Sequence, residues 1–171
     1  MIESTPPETF PDQSHNPSGA PAAEKYERGL ALRKAGLFKP AIEEFERAAM
    51  DGAYALKAYA QIGLCHKSRG RHEEAVLAFR KALTSPHSST KEVVQILYVL
   101  GRSLETLGRI DETLEAYRWI RREDPDYRDV EDRIRELSTR KPSASGHTRS
   151  SQHSWVGGVI RSWHGLLRIS K

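Results

Sequence analysis

Few side chains in this chain could carry out chemistry, so their spacing is weighed first. Cys65 is the single cysteine of the 171 residues, and no two of the seven histidines stand four apart. Metal sites built on one helix face, and those built on Cys-x-x-Cys or His-Glu-x-x-His, are therefore missing from the sequence pattern. No Gly-x-Ser-x-Gly turn and no phosphate-cradling glycine loop occurs either, and Cys65 has no histidine or carboxylate spaced to activate it. Three carboxylate pairs, Glu43-Glu44, Glu73-Glu74 and Asp111-Glu112, have the type needed for acid–base work. Read as recurring at equivalent places on successive helices, they instead mark a solvated face that complements the helix dipole. The expectation is a protein that is not an enzyme, with no cofactor and no metal.

The elements that hold these residues follow from a repeat. Gly29, Gly63 and Gly101 each precede another glycine by seven residues, namely Gly36, Gly70 and Gly108. The first two copies are 34 residues apart and the third follows after 38, so four residues are inserted before it. A period of this size made of two helices builds a solenoid, which presents a long concave surface rather than a reaction pocket. Gly36, Gly70 and Gly108 fall where each first helix should stop, because glycine accepts the left-handed conformation of a helix end. Apolar residues recur on the second helices as Ile42, Phe45, Ala49; Val76, Phe79, Leu83; and Leu114, Tyr117, Ile120. Ser89-Thr90-Lys91-Glu92 predicts a capping box that starts the third pair. Beyond Pro125, Tyr127, Val130, Ile134 and Leu137 form one apolar stripe, as a terminal capping helix requires. The fold class is all-α, a solenoid of about seven helices.

These residues resemble the tetratricopeptide repeat (TPR) family. The family places small, aromatic and small residues at the helix crossing, matched here by Ala41, Phe45, Ala48 and by Ala75, Phe79, Ala82. The third copy has Thr113, Tyr117 and Ile120, and a looser crossing is expected at that end. The closing proline is matched by Pro86 and Pro125, with Gly52 in the first copy. Where the family favours tryptophan near the start of the first helix, the chain has Lys25, Tyr59 and Leu97. The resemblance spans 24–138, divided into repeats at about 24–52, 56–88 and 91–125 with a capping helix at 126–138.

The resemblance implies that the first helices line a concave groove. Three columns at helical spacing then face it: Tyr26, Leu30, Arg33; Ala60, Leu64, Lys67; and Tyr98, Arg102, Glu105, flanked by Lys34, Lys57 and Arg71. Such a wall suits a protein or peptide segment that carries acidic and apolar residues. The TPR clamp that grips a chaperone's C-terminal carboxylate relies on asparagines in the groove, and the single asparagine here, Asn16, lies outside the repeats.

Charge is divided unevenly along the chain. Residues 1–23 hold three acids and no Lys or Arg, and their Pro, Ser and Thr content predicts a disordered arm. That arm lacks the basic start and apolar run of a secretory signal. Residues 139–171 hold six Lys or Arg and no acid, divided into a flexible basic linker (139–152) and an amphipathic basic helix (153–171). On a helical wheel Trp155, Val156, Val159, Ile160, Trp163, Leu166, Leu167 and Ile169 share one half, opposite Arg161, His164, Arg168 and Lys171. A helix this short is marginal in water, and Gly157 and Gly158 each cost it about 1 kcal/mol. Its apolar half therefore needs a cover, and three remain open: a membrane surface, a partner protein, or its own solenoid.

The functional expectation is a cytoplasmic adaptor or scaffold, with peripheral attachment to the inner face of a membrane as a variant. The alternatives are a small structural subunit of an assembly complex, and a nucleic-acid-associated protein using its basic tail. The partner, pathway and oligomeric state are not encoded in any motif of the sequence.

Overall fold

The computed structural model describes residues 21–85 and 89–140. Of the arm expected at 1–23, residues 1–20 lie outside the described residues, as do the basic linker beyond Arg140 and the amphipathic helix expected at 153–171. Pro86 does as well.

Seven helices run through the described residues: α1 (Ala22–Lys34), α2 (Phe38–Ala48), α3 (Gly52–Ser68), α4 (His72–Leu83), α5 (Thr90–Thr106), α6 (Ile110–Glu123) and α7 (Val130–Arg140). Each packs on its neighbours in sequence, and α1 also touches α3, so the first helices of the first two hairpins lie side by side. The core divides into two clusters along the stack. Phe45, Ala48 and Ile62 anchor one cluster, while Phe79, Leu97, Leu104, Tyr117 and Ile134 anchor a second. Tyr59 packs against both.

The same device closes the first helix of every hairpin. At Gly70 the backbone turns left-handed, with φ 73°, and its N–H donates to the Lys67 carbonyl at 3.0 Å. The next amide, that of Arg71, reaches back to the His66 carbonyl at 3.0 Å. These two bonds satisfy carbonyls that a helix end otherwise leaves unpaired. Leu37 and Arg109 repeat the longer bond to Leu32 and Leu104.

A second glycine sets the distance between the helices of a pair. A Cβ placed on Gly63 would lie 2.5 Å from the Phe79 ring, and one on Gly29 would lie 2.7 Å from Phe45. Gly101 meets Tyr117 at least as closely. The looser third crossing expected from Thr113 and Ile120 is thus not found. Thr113 is fully buried because its hydroxyl donates to the Arg109 carbonyl at 2.9 Å, which lets a polar residue take the small-residue position.

Helix starts were partly readable. Ser89 forms the expected box, accepting from the Glu92 amide at 3.2 Å while its own amide donates to the Glu92 carboxylate at 3.2 Å. α1 begins at Ala22, so Ala22 and Ala23, grouped above with the arm, are helical. α3 reaches back to Gly52 because Asp51 caps it, accepting from the Ala53 amide at 2.9 Å. α7 starts at Val130 rather than 126 and buries Val130, Ile134 and Leu137. Tyr127 precedes it in a connecting loop.

Ser89→Ala removes the side-chain half of the box and should lower stability by about 0.5–2 kcal/mol. Urea denaturation followed by circular dichroism checks this, with the midpoint falling and the slope unchanged.

Candidate functional site

The groove columns expected from the sequence occupy α1, α3 and α5, and their surroundings differ along the stack. On α1, Tyr26 is half-buried between the rings of Phe45 and Tyr54, at centroid distances of 5.6 and 5.7 Å. Its hydroxyl accepts a hydrogen bond from Gln61 Nε2 at 3.3 Å, tying α1 to α3. Leu30 and Leu64 are half-buried along the same two helices. Ala60, in register with Tyr26, is half-buried too, so the wall there is low.

Cations surround this apolar strip. Arg33 and Lys67, one repeat apart on α1 and α3, are half-buried and form no ion pair with a described carboxylate. Arg33 Nε is buried without a hydrogen-bond partner among the described residues, and so is Gln61 Oε1. Lys34 and Lys57 are exposed. Arg71 is exposed too, but it is committed to Glu74, donating through Nε at 2.8 Å. Gln61 was not among the expected groove residues, since it lies one position off the column read from spacing. Its repeat position is occupied by Glu27 and Val99 in the other copies, so no sequence signal marked it.

The third column is already occupied by the chain itself. Tyr98 is 8 % exposed, and its hydroxyl donates to Asp129 at 2.8 Å. Tyr127 packs edge-on against it at 5.7 Å, and the Arg128 guanidinium lies 4.7 Å above its ring. Arg128 holds φ at 51°, a left-handed conformation rare outside glycine, which brings the loop back over α5. Glu105 accepts from the Tyr117 hydroxyl at 3.1 Å and from Arg133 of α7 at 3.1 Å. Arg102 stands 3.8 Å from the same carboxylate. Tyr98 and Glu105, expected as open groove residues, are therefore structural contacts to the capping segment.

Residues 56–85, which comprise most of α3 and all of α4, match the family model of the tetratricopeptide repeat. The matched segment is a tetratricopeptide repeat, and the described helices pair and stack as a TPR-type solenoid. The hairpins on either side of the matched one share its glycine–aromatic crossing and its left-handed helix end, so the TPR geometry extends beyond the matched segment. A search of curated proteins finds no match to the chain.

Within the TPR stack the carboxylate pairs are not simply solvated. Glu112 pairs with Arg80 of the preceding hairpin and accepts from Arg109 Nε at 2.7 Å, while Arg109 also reaches Glu73 at 3.3 Å. Glu44 is 8 % exposed and accepts from Arg47 at 2.7 Å. Glu73-Glu74 and Asp111-Glu112 do occupy first turns, where they complement the dipole, but Glu43-Glu44 sits further along α2. Arg47–Glu44, Arg71–Glu74 and Arg109–Glu112 are local pairs three residues apart, while Arg28–Glu44, Arg80–Glu112 and Arg109–Glu73 join separate segments at no fixed sequence offset.

Cys65 is fully buried, and burial raises its thiol above the ordinary value despite the nearby Arg33. A packing role fits that environment, as expected.

Asp129 links the capping segment to α5. Its carboxyl is held below the ordinary range, first by the hydrogen bond from Arg133 and, against a smaller desolvation effect, by the bond from Tyr98. A depressed carboxylate stabilises the fold above its unfolded pKa, about 3.9, and loses that contribution as pH falls through the lower folded value. Asp129→Asn should therefore melt earlier than the parent protein at neutral pH, and the two melting curves should converge in acid below about pH 3.9. Thermal melts over a pH series check this.

Proposed function

We propose that this TPR solenoid is a non-enzymatic adaptor that captures an extended or helical protein segment carrying acidic and apolar residues. The groove of α1 and α3 is the docking surface, with Leu30 and Leu64 for apolar side chains and Arg33 and Lys67 for carboxylates. One observation carries the reading: Arg33 and Lys67 stand at equivalent positions one repeat apart, half-buried beside leucines and without an acidic partner among the described residues. Partly desolvated cations strengthen a hydrogen bond to a carboxylate compared with one in open water. A peptide with acids one repeat apart matches that pattern, and the leucines favour a residue such as Leu or Phe between them.

TPR repeats are in general protein-binding modules, which supports the class of partner. Tyr98 and Glu105, committed to the capping segment, shorten the proposed groove to the first two repeats. The apolar half that the sequence pattern gives residues 153–171 calls for a cover, for which a membrane surface, a partner protein and the solenoid itself all remain candidates. A cytoplasmic, reducing setting is part of the proposal and is supported by the single, buried thiol of Cys65.

The test uses short fluorescent peptides in which glutamates alternate with Leu or Phe, alongside lysine-containing counterparts. Saturable anisotropy changes are expected for the acidic set alone. Charge reversal at Arg33→Glu together with Lys67→Glu should weaken binding by about a hundredfold while the helical circular dichroism spectrum is retained. Binding that persists after the reversal, or absence of saturable binding by any acidic peptide, would sink the groove reading.

A further inference from the structure

One position on the first helices recurs as Tyr26, Ala60 and Tyr98. In the first hairpin the Tyr26 ring lies 5.6 Å from Phe45 and 5.7 Å from Tyr54. In the third, the Tyr98 ring lies 6.3 Å from Tyr117 and 5.7 Å from Tyr127. Each tyrosine thus joins the aromatic at its own crossing to a ring of the segment that follows. The middle hairpin lacks this arrangement. Phe79 stands at its crossing, but Ala60 replaces the tyrosine, and Glu92, one repeat on from Tyr54, replaces the outer ring. The Glu92 carboxylate is engaged in its capping box, accepting from the Ser89 amide at 3.2 Å and the Ser89 hydroxyl at 3.1 Å.

The missing ring leaves a shallow apolar surface between α3 and α5. α1 touches α3, whereas α3 and α5 make no comparably broad contact. Ala60 and Leu64 on α3 and Val99 on α5 are half-buried, each packed against the core cluster. Phe79 itself is fully buried, so the gap ends above the core and does not open it. Positive charge brackets this surface. Lys57 lies one turn before Ala60 and Lys67 about two turns after, and neither pairs with a described carboxylate. Along the helix the two lysines are separated by about 15 Å.

We infer that this surface receives one aromatic side chain of an acidic partner segment, and that Ala60 is the residue that admits it. The inference rests on the groove reading above and narrows its apolar requirement to a ring at one place. An aromatic is favoured over an aliphatic side chain because the equivalent places in the neighbouring hairpins hold rings. Those rings meet the crossing aromatic at tilted angles, 58° for Tyr26 and 38° for Tyr98. Leu64 and Val99 offer the incoming ring two further apolar neighbours. Four or five residues of extended peptide cover about 15 Å, so carboxylates on either side of the ring can reach Lys57 and Lys67.

Fluorescence anisotropy on the full chain tests it, with short glutamate-rich peptides that carry Phe, Leu or Ala at the centre. The parent should bind the Phe peptide about tenfold more tightly than the Ala peptide, with the Leu peptide between them. Ala60→Tyr gives the middle hairpin the residue that its two neighbours already hold, so its helical circular dichroism spectrum should be retained. The variant should cut the Phe preference to within about twofold, because the ring then comes from the protein itself. Ala60→Leu fills less of the space and should give an intermediate preference, which keeps the comparison should the tyrosine variant lose helicity. Equal binding of the Phe and Ala peptides by the parent overturns the inference while the groove reading stands. So does a Phe preference that survives Ala60→Tyr, including a loss of affinity shared equally by both peptides. No binding by any of the acidic peptides overturns both readings.

Discussion

A glycine on each first helix faces an aromatic ring on the second, sixteen residues later, and the rest of the architecture depends on that contact. A methyl group at Gly29 or Gly63 would stand well inside van der Waals distance of Phe45 or Phe79, so the ring fills the space that a side chain would otherwise need. Close approach carries a local cost, since glycine within a helix is about 1 kcal/mol worse than alanine. The fully buried rings offset it, because each fills the space between two helices at the crossing. Three hairpins with one crossing distance then stack with one period. Uniform stacking is what aligns α1 and α3 into a continuous wall.

That alignment explains why the groove has the character it does. Equivalent positions on successive first helices fall side by side, so a cation or leucine repeated once becomes a pair with fixed spacing. The pattern fails at the third hairpin for a physical reason. The connection after Pro125 turns back over α5, and Asp129 and Arg133 there satisfy Tyr98 and Glu105. The same residues that would extend the groove are used to fasten the cap. Stability at the C-terminal end and open binding surface compete for the same side chains, and the cap has them.

Much of this was legible in the residues. The left-handed glycines, the Ser89 box and the Val130–Ile134–Leu137 stripe are local patterns, in which a residue's role is set by neighbours a few positions away. The crossing was legible in outline, since it repeats. Three kinds of feature were not. Tyr98 reads as a groove residue by spacing, but its cover depends on a loop whose path hinges on Arg128 adopting φ 51°. Gln61 lies one step off the column, and only the contact with Tyr26, 35 residues away, reveals it. Glu112 and Glu44 look solvated in a helix-by-helix reading, because their arginine partners include ones from neighbouring helices. Long-range polar pairs carry no period, so the periodicity that exposed the fold could not expose them.

The central claim is that the glycine–ring contact sets the crossing, and a double-mutant cycle measures it directly. Equilibrium unfolding would be compared for the parent, Gly63→Ala, Phe79→Leu and the double variant. With the ring present, Gly63→Ala should destabilise by about 1–3 kcal/mol through overpacking, against the gain expected from helix propensity alone. With leucine at 79 the same change should cost much less, leaving a coupling energy above about 0.5 kcal/mol. If Gly63→Ala were neutral or stabilising in the parent, or cost the same in both backgrounds, the crossing would not depend on that contact and the account would be wrong.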